Sequence, residues 1–187
     1  MAASNHNQER DEMNMSEQKA NGDSAQTIKP YARLVSLPIR PEHIFHFPLG
    51  LPAFEDFKNY VFTLKPDTRP FMFMNAIEPA GLSFVCVDPF LVHPRYAPRI
   101  GAADLEFLRV SSMEDILLMG IVTVRPDVRD TTVNLQGPLA INMKTSIGKQ
   151  VICDGQTYSV RHRIWDAIET MRTHETLRGR RSAAACR

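Results

Sequence analysis

The sequence predicts a mainly β fold, either an antiparallel sandwich or a barrel, with a helix near its C-terminal end. Three observations favour this fold. Apolar and polar residues alternate with a period of two through the body of the chain. The alternating segments are short and are separated by turn residues. Helical spacing of apolar residues occurs in only two places.

The strand predictions follow this alternation. In the segment 71–77, Met72 and Met74 point to one face and Phe73 and Asn75 to the other. Short strands at such close spacing are typical of sandwiches and barrels. The predicted strands are Ile44–Phe47, Tyr60–Lys65, Phe71–Ile77, Leu82–Val87, Leu117–Val124, Thr132–Ile141, Gln150–Cys153 and Tyr158–His162.

The most informative run lies in the middle of the chain, where Ile121–Val124 and Thr132–Ile141 flank a charged turn at 126–130. Asn134 interrupts the apolar pattern of the second strand, and Gly137-Pro138 breaks its ladder because proline cannot donate a hydrogen bond. Such residues inside a strong strand usually shape a bulge or a surface. The run therefore indicates a protein that works through its surface and not through a catalytic cleft.

Two segments have the apolar spacing of a helix. The first is short and covers Ala102–Leu108, and the second is predicted over 163–178, with Gly179 as its stop. The apolar face of the second helix comprises Ile164, Ile168 and Met171. This face can dock either on the protein's own domain or on a partner, and both interpretations stay open.

The length of 187 residues is sufficient for one domain with tails. Residues 1–29 contain no Leu, Val, Phe, Tyr or Trp, so they cannot bury enough surface to offset their ordering entropy. We therefore expect a disordered N-terminal extension over 1–32. The β domain is expected over 33–163, and a helix with a basic tail over 164–187.

The formal net charge of +1 conceals an uneven distribution. Residues 41–160 carry ten Lys/Arg against thirteen Asp/Glu, and residues 161–187 carry seven Arg against three Asp/Glu. An acidic body favours encounter with basic partners. The balance excludes a generally basic nucleic-acid binder, but the Arg-rich tail keeps RNA binding as an alternative.

The cysteines indicate a reducing compartment. There is no C-x-x-C pair, and Cys86 and Cys153 lie in apolar strands, where they are interpreted as small core residues. The N-terminus has no apolar signal region, and the longest apolar run, Ile116–Val124, is too short to span a bilayer. A cytoplasmic protein without a membrane span is expected.

The sequence contains no recognised catalytic motif, and we expect neither an enzyme nor a metal or cofactor site. Asp88 precedes Pro89 at the end of an apolar strand, where a capping carboxylate is favoured over a catalytic base. His93 lies in a Pro-rich loop, where packing is favoured over a site role. A hydrolase that uses Asp88 and His93 is the remaining enzyme hypothesis.

The loop at 50–57 combines apolar and acidic residues. Two interpretations apply to its aromatic residues, Phe54 and Phe57. They can plug one end of the fold, or they can form an exposed anchor for a partner. The second interpretation would make the loop a binding surface.

Several segments together resemble the flagellar assembly factor FliW family. They span roughly residues 41–163 in the order of the family. Two positions depart from the pattern, because family members usually have Gly where Ala53 stands and Ala where Gly137 stands. The segments that carry the resemblance are Ile44-x-x-Phe47-x-x-Gly50-Leu51-Pro52-Ala53-Phe54-Glu55, Leu82–Phe90, Ile121–Val124, Thr132–Pro138, Asn142, Gln150-Val151 and Tyr158–His162.

The resemblance implies a small antiparallel β-barrel that acts as a switch between two protein partners. Proteins of this family bind CsrA, an RNA-binding repressor of flagellin translation, and stop it from holding the messenger. They also bind newly made flagellin, which displaces them from CsrA. Two partners that exclude one another on one module form a linkage scheme.

On this basis we expect a monomeric regulator that binds CsrA and flagellin and does not itself bind nucleic acid. A small RNA-binding barrel that acts through its basic C-terminal tail is the alternative. The expected partner-contact positions are Pro52, Phe54, Glu55, Asp88, Pro89, Asn134, Gln136, Ile164, Ile168 and Met171. For Asn134, a structural role in satisfying a bulge is an equal alternative.

Overall fold

The computed structural model describes residues 43–153, 158–171 and 173. The predicted N-terminal disorder and the basic tail lie outside these residues. Within the described part, no helix is long and apolar enough to cross a membrane. The strands are β1 (Phe45–His46), β2 (Asn59–Leu64), β3 (Met72–Ala76), β4 (Ser83–Val87), β5 (Ile116–Thr123), β6 (Thr132–Val133), β7 (Leu139–Asn142), β8 (Ile147–Gln150) and β9 (His162–Arg163).

Seven strands close into a barrel. Neighbours follow the order β4, β3, β2, β1, β8, β7 and β5, and the pairing of β5 with β4 closes the ring. An odd number of strands cannot alternate in direction all the way round, so one neighbouring pair must be parallel. That pair is β1 with β8, which meet at His46 and Ile147. The predicted antiparallel barrel is confirmed, with this one parallel pair as the difference.

The strand predicted over Thr132–Ile141 is divided in the structure. β6 and β7 both pair with β5, but residues 135–138 leave the ladder between them. β9 then pairs with β6 outside the closed ring. The strand predicted at 150–153 lies earlier, because β8 forms a tight hairpin with β7, from Asn142 opposite Ile147 to Leu139 opposite Gln150. The strand predicted at 158–162 is reduced to the two residues of β9.

Three α-helices accompany the barrel in the described residues. α1 (Pro89–Val92) follows β4 directly and was not predicted. α2 (Ala102–Phe107) confirms the first predicted helix. α3 covers residues 165–171. The predicted continuation of α3 to residue 178 lies beyond the described part.

The barrel interior is an apolar core that we call the inner core. Phe45 and Phe62 meet edge to face with ring centroids 5.4 Å apart. The ring of Phe47 lies against the backbone of Gly148, where an added Cβ would come within 2.4 Å of it. Glycine is therefore required at this position of β8. The buried members of the inner core are Phe45, Phe47, Leu51, Tyr60, Phe62, Met72, Met74, Ala76, Cys86, Leu117, Met119, Leu139 and Ile141.

A second core lies on the outer face of β5 and β7, and we call it the outer core. It packs residues of these strands against α1, α2, α3 and the loops between them. Cys153 is also buried, so the prediction that Cys86 and Cys153 are internal is confirmed. The buried members of the outer core are Val87, Val92, Tyr96, Ile100, Leu108, Ile116, Leu118, Val122, Val133, Leu135, Ala140, Val151, Ile164 and Ile168.

A buried amide connects α2 to the hairpin between β7 and β8. The side chain of Asn142 is almost fully buried. Its Nδ2 donates to the carbonyl oxygens of Leu108 and Arg109, at 3.0 Å each. Its Oδ1 accepts from the backbone N–H of Lys144 at 2.9 Å. This one side chain therefore satisfies carbonyls at the end of α2 and an amide in the hairpin turn.

Replacing Asn142 with Ala is expected to lower the free energy of unfolding by about 2–3 kcal/mol, because buried carbonyl and amide groups lose their partners. Urea unfolding monitored by circular dichroism measures this change. Asn59→Ala is the matched control, since Asn59 Oδ1 makes an exposed contact with His46 Nδ1 at 2.8 Å. Equal losses in the two variants would contradict the structural role of Asn142.

Candidate functional site

The loop between β1 and β2 has a defined conformation held by short-range hydrogen bonds. The N–H of Gly50 donates to the carbonyl of Phe47 at 2.8 Å, and the N–H of Phe54 donates to the carbonyl of Leu51 at 2.8 Å. The N–H of Phe57 donates to the carbonyl of Phe54 at 3.2 Å. These bonds fix the positions of the side chains at the tip. We call residues 48–57 the β1–β2 loop.

Two backbone positions of the β1–β2 loop are left-handed. Gly50 has φ +70°, and an added Cβ would lie 2.7 Å from the backbone of Glu55. Ala53 has φ +68°, although it carries a side chain. The left-handed region costs an L-residue roughly 1–2 kcal/mol relative to glycine. The turn at Ala53 therefore still has the conformation that favours glycine.

Phe54 is partly supported and partly exposed. Its ring lies edge to face with Phe84, at 5.2 Å between centroids, and 6.3 Å from the ring of Phe57. It retains 36% exposure, and Leu49 in the same loop retains 54%. Phe57 packs against the inner core. Phe57 thus closes the end of the barrel, whereas Phe54 presents part of its ring to solvent.

Glu55 adds a negative charge beside Phe54. Its Oε1 accepts from the N–H of Ala53 at 2.9 Å. The backbone N–H groups of Ala53 and of Glu55 itself lower the pKa of this carboxyl, so it is ionised at neutral pH. Pro52 and Asp56 are exposed on either side. The tip of the β1–β2 loop therefore combines apolar surface with carboxylates.

The structure corrects the expectation that Asp88 and Pro89 lie at a partner surface, because both are buried. Asp88 caps α1, and its Oδ1 accepts from the N–H of Phe90 at 2.8 Å. The capping role favoured from the sequence is confirmed. Burial raises the pKa of this carboxyl from 3.8 to about 6, and the bond to Phe90 opposes the rise.

Asn134 and Gln136 lie in the turn that separates β6 from β7. Asn134 is half-buried, and its Oδ1 accepts from the N–H of Gly137 at 2.8 Å. Gln150 Nε2 donates to the carbonyl of Gly137 at 2.8 Å from the other side. Asn134 therefore has the structural role that the sequence left as one of two alternatives. Gln136 is exposed.

The apolar face of α3 packs on the protein's own domain. Ile164 and Ile168 retain only 1% and 2% exposure in the outer core. Met171 is half-buried against the same cluster. The expectation that Ile164 and Ile168 contact a partner is corrected for this conformation, because their side chains are covered by the barrel. The sequence left open whether this face docks on the protein's own domain or on a partner. In the structure it docks on the protein's own domain.

His93 belongs to a cluster of aromatic rings whose contacts the sequence did not predict. Its ring centroid lies 5.4 Å from that of His162, 5.8 Å from Tyr158 and 6.2 Å from Tyr96. Asp88 and His93 stand at opposite ends of α1, and Asp88 is occupied by the helix cap. Among the described residues, no group of three or more His, Cys, Asp or Glu side chains could hold a metal ion.

The fold and the β1–β2 loop define a class of small closed β-barrels with an apolar and acidic loop at one end and a second core outside the ring. The family model described as FliW protein matches residues 30–164. The chain belongs to the FliW protein family.

Relatives and a solved structure agree with this assignment. The flagellar assembly factor FliW of Alkaliphilus metalliredigens (strain QYMF) is 37% identical over 134 residues, which cover 71% of this chain and 83% of that protein. That of Moorella thermoacetica (strain ATCC 39073 / JCM 9320) is 36% identical over 135 residues, which cover 72% and 85%. The crystal structure of the flagellar assembly factor FliW superimposes with a TM-score of 0.61 at 34% identity, covering 68% of this chain and 89% of that one.

The left-handed backbone at Ala53 leads to a stability prediction. Ala53→Gly is expected to raise the free energy of unfolding by about 1 kcal/mol, or the Tm by roughly 3 °C, because glycine relieves the strain at φ +68°. Differential scanning calorimetry measures the shift. Ala80→Gly is the matched control at an exposed turn position without positive φ and is expected to be neutral or destabilising. A loss of stability in Ala53→Gly would contradict the strain.

The buried cap at Asp88 leads to a pH prediction. Since the folded-state pKa of about 6 exceeds the ordinary value of 3.8, protonated Asp88 contributes stability below pH 3.8 that is lost as the pH rises through 6. The full change corresponds to about 3 kcal/mol. Asp88→Asn lacks this dependence, so the variant's stability relative to the native protein should increase between pH 4.5 and 7.5. Urea unfolding across this range measures it, and a constant difference would contradict it.

Proposed function

We propose that the protein is a cytoplasmic flagellar assembly factor that binds CsrA and flagellin and carries out no catalysis. The observation that carries this proposal is the match of the FliW family across the entire closed barrel, including the β1–β2 loop. Binding to CsrA relieves repression of flagellin translation. Binding to flagellin competes for the same module, so free flagellin limits its own synthesis.

The tip of the β1–β2 loop is the proposed partner surface. Backbone hydrogen bonds within the loop fix its conformation before any partner binds. Its exposed apolar side chains are Leu49, Pro52 and Phe54. A preorganised loop loses little entropy on binding. Aromatic side chains that pack against a neighbouring residue on one side and are exposed on the other are typical anchors of protein interfaces. These features support Phe54 as the central contact.

Charge supports a basic partner. Ionised Glu55 and exposed Asp56 flank Phe54. The body of the chain, residues 41–160, has an excess of three acidic residues. Complementary charge increases the association rate and selects among partners. An RNA-binding protein such as CsrA carries a basic surface, and its encounter with this loop is therefore favoured.

Gln136 is proposed as a further contact position because its side chain is exposed at the turn between β6 and β7. Asn134 supports this contact by holding the turn through the N–H of Gly137. Met171 is half-buried, and of the three apolar positions predicted to contact a partner near α3 it is the one that retains access. We propose that the protein acts as a monomer, because the closed barrel leaves no long unpaired strand edge in the described part.

The decisive experiment is capture of the full-length protein's partners from its own cell lysate, with and without RNase, followed by mass spectrometry. We expect CsrA and flagellin in both preparations. Titration of each purified partner by calorimetry then tests whether flagellin displaces CsrA. Recovery that depends on intact RNA would favour the alternative of an RNA-binding barrel. Simultaneous binding of both partners would contradict the exchange.

Phe54→Ala is expected to weaken binding of CsrA or flagellin by about 2 kcal/mol, roughly 30-fold in Kd, since it removes the anchor of the loop.

Glu55→Gln is expected to slow association with a basic partner, mainly at low salt. Calorimetry and stopped-flow fluorescence measure these effects.

Leu64→Ala is the control, because Leu64 has 45% exposure at the end of β2, outside the loop. Equal affinities of Phe54→Ala, Leu64→Ala and the native protein for both partners would exclude the loop as the binding surface. Thermal unfolding of each variant shows whether a change in affinity arises from loss of folded protein.

A further inference from the structure

The ring cluster around His93 joins two parts of the chain that are distant in sequence. His93 ends α1, and Tyr96 follows in the next loop. Tyr158 and His162 belong to the segment that leads into α3. The rings of Tyr96 and Tyr158 lie 4.7 Å apart, and the two imidazoles lie 5.4 Å apart between centroids. The cluster therefore lies where the C-terminal segment, residues 158–171, meets the barrel.

Hydrogen bonds fix the tyrosines on both sides of this contact. The hydroxyl of Tyr96 donates to the carbonyl of Leu135 at 2.6 Å. The hydroxyl of Tyr158 accepts from the N–H of Ala97 at 2.9 Å. These bonds hold the two tyrosines beside the imidazoles, whose ring planes are tilted by 60° to each other.

The remaining attachments of the C-terminal segment are few. β9 pairs with β6 over two residues, and the N–H of Leu135 donates to the carbonyl of Ser159 at 3.1 Å. The N–H of Ile164 donates to the carbonyl of Thr131 at 3.3 Å. Ile164 and Ile168 then insert into the outer core. Arg163 adds exposed bonds to the carbonyl of Arg129 and to Asp130, at 3.1 and 3.0 Å. A destabilising change at the imidazoles would therefore act on a segment held by a short ladder, a few hydrogen bonds and this apolar contact.

The environment of His162 favours its neutral form. His93 Nδ1 is buried and has no hydrogen-bond partner. Burial lowers the pKa of His162, the nearby His93 lowers it further, and a hydrogen bond with the backbone of Val92 opposes these effects. Among the residues that the structure describes, the salt bridges involve Lys144, Lys149 and Arg163, and none compensates an imidazolium.

The neighbouring titratable groups that the structure describes form no ion pair with either imidazole. Arg161 and Arg163 flank His162 with further positive charge, and Arg163 is engaged with Asp130. Tyr96 is neutral because burial raises its pKa, and its hydroxyl lies 3.5 Å from Cys153 Sγ. Asp88, at the opposite end of α1, titrates with the opposite sign, since its protonation favours the folded state.

We propose that His93 and His162 form an acid-sensitive latch that holds the C-terminal segment against the barrel and releases it when both imidazoles are protonated. Two cations 5.4 Å apart in a partly buried cluster repel each other, and none of the ion pairs in the described part of the chain involves either imidazole. Release exposes the apolar face of Ile164 and Ile168 together with the part of the outer core that they cover. The inner core contains no member of the latch, so the barrel remains closed.

The sign of the pH dependence follows from the direction of the His162 shift. Its folded-state pKa lies below the ordinary value of 6.5, so docking is fully favoured above pH 6.5 and is lost as the pH falls through the folded-state value. Asp88 changes the stability of α1 in the opposite direction over an overlapping range. The two contributions are separated by measuring the docking of α3 rather than global stability.

The chain has a single tryptophan, and Trp165 lies at the start of α3 immediately after the latch. Trp165 is half-buried, so its emission wavelength and its quenching by acrylamide change if the C-terminal segment leaves the barrel. In the full-length protein, titration from pH 8 to pH 5 should shift emission to longer wavelength and increase quenching, with the midpoint below 6.5. Hydrogen exchange of β5 should stay slow over the same range.

Histidine variants test whether the acid transition of Trp165 arises from His93 and His162 or from other titratable groups. The double variant His93→Gln, His162→Gln should show no acid transition of Trp165, and each single variant should show a shallower one. His46→Gln is the matched control at an exposed histidine and should titrate like the native protein. If the double variant does not fold at pH 8, the two single variants carry the test.

The proposal is overturned if native Trp165 emission is unchanged from pH 8 to pH 5. It is also overturned if the transition persists in the double variant, or if both single variants titrate like the native protein. Loss of protection in β5 at the same pH as the Trp165 shift would show global unfolding and would likewise exclude a latch.

Discussion

The double-sided burial of β5 is the constraint on which the rest of the structure depends. Leu117 and Met119 point into the inner core, whereas Ile116, Leu118 and Val122 point into the outer core. A strand with water on one face would alternate apolar and polar residues, but this one has no polar side chain from Ile116 to Val122. The same strand pairs with β4 on one edge and with β6 and β7 on the other. β5 therefore both closes the ring of strands and provides the surface to which the helices attach.

The apolar residues are divided between two cores with different roles. The inner core fills the barrel, and the outer core attaches the helices and loops to its outer face. The inner core needs only the ring of strands, and its aromatic packing supports the β1–β2 loop through Phe57 and Phe84. The outer core needs helices and loops that are contributed from distant parts of the chain. A rigid barrel can thus present a preorganised loop at one end while the segment on its outer face has fewer attachments.

The alternation of β2 and β3 was readable from the sequence because period two, turn residues and burial all agree there. β4 was readable as a nearly continuous apolar run that ends at Asp88-Pro89. The helix α1 was not, since four residues after Asp88 are too short to show a period. The apolar spacing of Ile164 and Ile168 predicted a buried face but could not identify what would cover it. The contact of His93 with His162 depends on the path of the chain, which local patterns do not encode.

The odd number of strands in the ring has a consequence for synthesis of the protein on the ribosome. The parallel contact in the ring joins His46 to Ile147, so roughly a hundred residues must be added before β1 meets its second neighbour. At typical translation rates this takes about 5–20 s. During that time the nascent sheet has unpaired edges and an uncovered apolar face. A holding chaperone, or slow local translation after β4, would have its greatest effect in this interval.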